Sequence, residues 1–140
     1  MISVICGKKG SGKTKQLLNV ANERAKTAKG SLVFIDHSNS CMFDLARNIR
    51  YINATEYHVS NANMLCGFIC GIAAQDFDLE CICIDGFKNY IVEDLAEVKD
   101  FFDRMSAFCE ERKVDIVISL SEEKENLPDF MIPFVISAAE

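Results

Sequence analysis

The sequence predicts a three-layer α/β fold, with a mostly parallel central sheet of about five strands and helices on both faces. Three observations predict it. Short apolar runs, "ISVIC", "SLVFID", "CICID" and "VDIVISL", recur along the 140 residues. Between them lie segments whose apolar residues repeat at helical spacing. The runs themselves are apolar on both faces, as strands covered on both sides by helices must be.

"ISVIC" is a buried strand that ends at Gly7. Beyond a glycine-rich loop, Leu17, Leu18, Ala21, Ala25 and Ala28 share one helical face, with Gly30 as the expected C-cap. "SLVFID" forms a second strand ending at Asp36, after which Ser40 is placed to cap a short helix over 40–49. The stretch "RYINATEYHV" alternates weakly and fits either a short strand or an irregular connection. Ser60 or Asn61 caps a helix running to about residue 74. It is apolar on nearly every side and so expected to be buried, with Gly67 and Gly71 close against the sheet. "LECICID" is the third strand, closing on Asp85 and Gly86, and an amphipathic helix is expected over 92–112. "VDIVISL" supplies the fourth strand. "MIPFVIS" supplies a last one, confined to an edge by Pro133, which has no N–H for a ladder. Right-handed crossovers bring the C-terminal ends of parallel strands to one edge, so Gly7, Asp36, Asp85 and Ser121 are expected near one another.

Composition narrows the function classes. The chain is of single-domain size, 1–140, with only two prolines and no linker-like stretch. A net charge of −6 argues against general nucleic-acid binding. That charge is uneven: residues 1–29 hold Lys8, Lys9, Lys13, Lys15, Arg24, Lys26 and Lys29 against Glu23 alone. A local positive field at this end attracts an anionic ligand such as a nucleotide. The seven cysteines sit among apolar neighbours and form no Cys-x-x-Cys pair, which fits buried thiols in a reducing compartment. A zinc site would need the Cys66/Cys70 or Cys81/Cys83 segments to converge with His37 or His58. No positively charged leader precedes "ISVIC", and the longest apolar stretch, 64–74, is shorter than the roughly 20 residues a membrane-spanning helix needs. A cytoplasmic protein without a membrane span is expected.

The chemistry concentrates in "GKKGSGKT", which fits the spacing G-x-x-x-x-G-K-[ST]. Gly7, Lys8, Lys9, Gly10, Ser11, Gly12, Lys13 and Thr14 would curl around phosphates, the glycines letting backbone N–H groups point inward and the following helix adding its positive end. Lys13 would neutralise the β and γ phosphates, and the Thr14 hydroxyl would ligate Mg²⁺. Asp85, ending a buried strand, is the expected second magnesium residue.

Through "GKKGSGKT" and "CICID" the chain resembles the P-loop NTPase superfamily, over the order of elements from Ile2 to about Leu120. It also resembles small bacterial ATP-binding proteins labelled as twitching-motility, or pilus-retraction, ATPases. The resemblance implies ATP and Mg²⁺ as ligands. ATP is the expected nucleotide because the guanine-reading N-K-x-D sequence is absent. Many hydrolytic members carry a glutamate directly after the magnesium aspartate, where this chain has Gly86. Asp36 is then the candidate to activate water, ahead of Glu56 and Glu93. Lys8 resembles the lysine that MinD/ParA-like ATPases extend to a partner subunit, which would imply a homo-oligomer or another protein partner. Ser119 or Ser121 is placed to sense a γ-phosphate, and Arg47 and Arg50 to act across an interface. Three functions stay open: a slow ATPase or nucleotide switch, a small-molecule or nucleoside kinase, and a binding module that does not hydrolyse its nucleotide.

Overall fold

The structure, a computed structural model, describes residues 1–139. Among these, six strands form one sheet: β1 (Ile2–Gly7), β2 (Ser31–Asp36), β3 (Ile49–Asn53), β4 (Leu79–Ile84), β5 (Asp115–Ser121) and β6 (Val135–Ala139). Their order across the sheet is β3-β2-β4-β5-β1-β6, and every pairing is parallel. The α/β class and the helices on both faces follow the sequence. The strand count does not: there are six strands, not five, and the parallel arrangement is complete rather than partial. The added strand is β3, the weakly alternating stretch, which pairs with β2 from Leu32↔Ile49 to Asp36↔Asn53.

Alternation along each strand divides the core into two layers. On one face Ile5, Leu32, Phe34, Cys81, Cys83 and Val117 pack with Leu17 and Ala21 of helix α1 (Lys13–Ala25). On the other, Val4, Cys6, Val33, Ile35, Ile82, Ile84, Ile116, Ile118 and Leu120 meet helices α2 (Ala62–Ala74) and α3 (Lys99–Arg112). This second layer holds an aromatic group around Phe102, whose ring lies 5.5 to 5.9 Å from those of Phe87, Phe101, Phe130 and Phe134. Phe87 and Tyr90 are fully buried, which fixes the 3₁₀ turn Phe87–Tyr90 directly after Asp85. The Tyr90 hydroxyl donates to the Asp85 carbonyl at 2.9 Å. Core packing thereby sets where that aspartate sits.

Several expected helices differ in extent. Helix α1 stops at Ala25, and the Thr27 and Ala28 N–H groups turn back onto the Arg24 carbonyl, so Gly30 lies beyond the cap. The expected helix over 40–49 is only a 3₁₀ turn, Met42–Asp44. Asn22 of α1 satisfies this segment instead, donating to the Asp44 carbonyl at 2.9 Å and accepting from the Ala46 N–H at 2.8 Å. Helix α2 starts as expected, its cap Asn61 accepting from the Met64 N–H at 2.8 Å. It is buried on one face only: Leu65, Cys66, Ile69 and Ile72 point inward, while Met64, Gly67, Cys70 and Gly71 are exposed. A side chain at Gly67 or Gly71 would meet nothing within 4 Å, so these glycines do not serve close packing on the sheet. The expected helix 92–112 is split. Glu93 accepts from the Ala62 N–H at the start of α2, a capping box joins Asp94 and Glu97 over the 3₁₀ turn Leu95–Glu97, and α3 begins only at Lys99. Pro133 lies in the 3₁₀ turn Asp129–Phe134 that precedes β6, not within the strand, although β6 is at the sheet edge as expected. No helix among the described residues is long and apolar enough to cross a membrane.

Phe102 contacts four other aromatic rings and is 1% exposed. Phe102→Ala should lower unfolding stability by about 3–5 kcal/mol in urea titrations, whereas replacing the fully exposed Phe77 by Ala should leave it almost unchanged.

Candidate functional site

The loop between β1 and α1 turns on left-handed glycines, Gly10 at φ 84° and Gly12 at φ 89°. A side chain on either would meet nothing within 4 Å, so the space beside the loop is open to a ligand. The Ser11 N–H closes the turn on the Lys8 carbonyl at 3.1 Å. The same carbonyl accepts from the Ser11 hydroxyl at 2.6 Å and the Lys13 ammonium at 2.7 Å. Helix α1 starts at Lys13 without an acidic residue in its first turn. Its free N–H groups and dipole thus face the loop uncompensated, a setting that favours an anion. Burial lowers the Lys13 pKa below the usual lysine range, although the Asp85 carboxylate acts in the opposite sense.

Strand order builds the rest. Strand β5 lies between β1 and β4, so the end of β5 faces both the loop and Asp85. Thr14, in the first turn of α1, places its hydroxyl 3.1 and 3.2 Å from the two Asp85 carboxylate oxygens. From β5, the buried Ser119 hydroxyl donates to Asp85 Oδ1 at 2.7 Å and accepts from the Gly86 N–H at 2.8 Å. Next door on β2, Asp36 is fully buried. Its Oδ1 accepts from the His37 N–H at 2.8 Å and its Oδ2 from the Tyr51 hydroxyl at 2.8 Å. Tyr51 stacks on Phe34, with ring centroids 6.5 Å apart, and also donates to the Ser38 carbonyl. Burial and the bond to Asp36 raise the Tyr51 pKa, so its phenol remains a donor at neutral pH.

Among the described residues one group of metal-type side chains converges: Asp36, Cys41 and Asp85, with ligand atoms within 4.8 Å of one another. Burial, then the neighbouring Asp36 carboxylate, pushes the Cys41 thiol up to about 11. Asp36 is fully buried and does not line the cleft beside the loop, whereas Thr14 and Asp85 do. The pair that fits a metal is therefore Thr14 and Asp85, both hard oxygen donors. Two adjacent ligands of an octahedral Mg²⁺ at 2.1 Å stand about 3.0 Å apart, close to the Thr14–Asp85 separation. Charge balance points the same way. Two buried carboxylates face one buried lysine, a negative excess that a divalent cation offsets.

These groups border a cleft of about 660 Å³ lined by Lys9, Gly10, Gly12, Lys13, Thr14, His37, Ser40, Asp85, Gly86, Lys88, Asn89, Ser119 and Ser121. A groove of about 750 Å³ lies apart from it, between β3 and α2, and takes in Arg50, Glu56, Tyr57, Gly67 and Gly71. It is the larger space, but the helix start, the lysine and the magnesium-type oxygens all belong to the cleft.

The structure thus brings Lys13, Thr14, Asp85 and Ser119 together, with Asp36 beside them but sealed beneath the surface. The Lys8 ammonium is exposed and pairs with Glu123 at 3.3 Å, and Lys9 lines the cleft. Glu56 belongs to the separate groove, and Glu93 caps α2. Arg50 lines that groove and Arg47 is exposed. All seven cysteines are free, and neither histidine joins a cysteine cluster among the described residues. Sequence reasoning missed the contribution of Tyr51 and the position of His37. Of the two serine candidates, Ser119 is the one that meets Asp85: it shares the strand parity of Val117, as Asp85 shares that of Cys83 and Asp36 that of Phe34, so all three face α1. No protein-family model matches the sequence, and no curated protein matches it.

Removing the Ser119 hydroxyl strips a donor from Asp85 and an acceptor from the Gly86 N–H. Ser119→Ala should therefore lower stability by about 1–3 kcal/mol in chemical denaturation, while Ser121→Ala, at the half-buried strand end, should change it by less than about 0.5 kcal/mol.

Proposed function

We propose that the protein binds a nucleoside triphosphate, ATP being the expected one, together with Mg²⁺. The observation that carries this reading is the Thr14 hydroxyl 3.1 Å from the Asp85 carboxylate, at the foot of a glycine loop that opens a helix. In this reading residues 7–14 cradle the phosphates and Lys13 lies against the β and γ oxygens. Thr14 and Asp85 hold the metal directly or through one of the waters that Mg²⁺ retains. When bound, Mg²⁺ would neutralise charge that develops on the phosphates. Ser119 orients Asp85 toward the metal, and the buried turn after Asp85 keeps that carboxylate fixed. The chain of this reading is a member of the P-loop NTPase superfamily.

Hydrolysis is the reaction the cleft supports best, because His37, Ser119 and Asn89 ring the space beyond the loop without closing it to water. Phosphoryl transfer to a small acceptor is the second reading. One observation favours it: Asn39 lines the separate groove while His37 and Ser40 line the cleft, so one turn borders both spaces.

Lys13→Ala should abolish Mg²⁺-ATP binding in calorimetry, a loss of at least a hundredfold in affinity, with the fold retained by circular dichroism. Undiminished affinity would remove the phosphate-cradle reading.

A further inference from the structure

Position 86 has no side chain, and the space a side chain would take is occupied. A Cβ built on Gly86, which stands at φ 71°, would fall 3.1 Å from His37 Nδ1, 3.2 Å from His37 Cε1 and 2.5 Å from Asn89 Nδ2. The imidazole therefore lies where a residue following the Asp85 carboxylate would begin. It arrives from the neighbouring strand end, one residue past Asp36. Its Nδ1 is buried and has no hydrogen-bond partner among the described residues, although Asp36 Oδ1 is only 3.3 Å away. Such an orphaned atom calls for an explanation. A bond from Nδ1–H to the Asp36 oxygen would satisfy it, and hydrogen bonds of this kind are commonly loose before substrate arrives. Asp36 is held ready for it, since Tyr51 and the His37 N–H fix the carboxylate from both sides. With Nδ1 turned inward, the exposed part of the ring, about a third of the side chain, belongs to the cleft that His37 lines.

Resting on the nucleotide-binding reading above, we propose that His37 is the group that accepts the proton from the water attacking the γ-phosphate, with Asp36 as its positioning residue. Water oxygen forms a bond to the γ-phosphorus, and the bond from that phosphorus to the β,γ-bridging oxygen breaks, its electron pair leaving with ADP. The water's proton passes to Nε2. Nδ1–H donates to Asp36, which fixes the tautomer and stabilises the imidazolium until the proton is released to solvent. An imidazole backed by a buried carboxylate is a recurrent arrangement for a general base. Here it supplies from β2 what Gly86 cannot supply from β4. Asp36, being sealed from the cleft, acts through His37 rather than on water itself.

The test uses the whole protein, with phosphate release and calorimetric Mg²⁺-ATP binding measured side by side. His37→Ala is expected to lower kcat by at least a hundredfold while KM and the binding constant change by less than about threefold. Added imidazole should restore part of kcat in His37→Ala and none in Lys13→Ala. Asp36→Asn should lower kcat in the presence of His37 but cause no further loss in the His37→Ala background, because the two act as one unit. Unchanged kcat in His37→Ala, a loss that imidazole does not rescue, or additive losses in the double variant would each overturn the proposal. Mg²⁺-ATP binding with no phosphate release by the unaltered protein would also overturn it, leaving the nucleotide-binding reading in place. Absence of binding would instead remove that reading.

Discussion

Burial of the Asp85 carboxylate beneath helix α1 is the constraint on which the rest of the site depends. An anion with 4% exposure must be compensated, and its partners come from three parts of the chain. Thr14 donates from the first turn of α1 and Ser119 from the adjacent strand β5, while Tyr90 grips the Asp85 carbonyl from a turn anchored in the aromatic core. The Thr14 and Ser119 bonds require the parallel order β4-β5-β1, because only that order places the loop and the aspartate one strand apart with a serine between them. Packing of Phe87 and Tyr90, 75 or more residues from any loop glycine in sequence, is therefore coupled to the geometry of the cleft.

The same burial explains the balance of charge. Lys13 loses some of its affinity for a proton by burial, yet it lies against the carbonyl of Lys8 rather than against either carboxylate. Asp36 is compensated by neutral donors, the Tyr51 hydroxyl and a backbone N–H. The Asp85 oxygens likewise rest on hydroxyls. Hydroxyl partners hold a carboxylate in place without neutralising it, and so preserve its attraction for a cation. A salt bridge at the same position would have met that demand internally.

Much of the fold was legible in the sequence because a parallel sheet leaves a strong local mark: apolar runs with no polar face, interspersed with helical periods. What escaped was set by tertiary contacts. Strand β3 carries Arg50 and Asn53 and is only partly covered, so its pattern is that of an edge and not of a core strand. The segment 40–49 has helix-compatible residues, but the side chain of Asn22 satisfies its backbone and removes the need for a helix. Glu93 similarly left its expected helix to cap α2. In the site, the loop and Asp85 were readable because their residues are contiguous or end an unmistakable strand. Ser119 is a candidate from the end of its strand, but its bond to Asp85 across 34 residues, like that of Tyr51 to Asp36 across 15 and the approach of His37 to Gly86, exists only through strand order.

The two cavities give the account a sharp spatial form. If phosphates sit at the start of α1, the effects of nucleotide belong to the cleft and spare the larger groove between β3 and α2. The most direct measurement is a titration of isotopically labelled protein with Mg²⁺-ATP, followed through backbone amide resonances. The expected result is saturable one-site shifts at Gly10, Gly12, Lys13, Thr14 and Gly86, weakened when Mg²⁺ is chelated, with Gly67 and Gly71 unmoved. Shifts centred on Gly67 and Gly71, or none at the loop, would contradict the account.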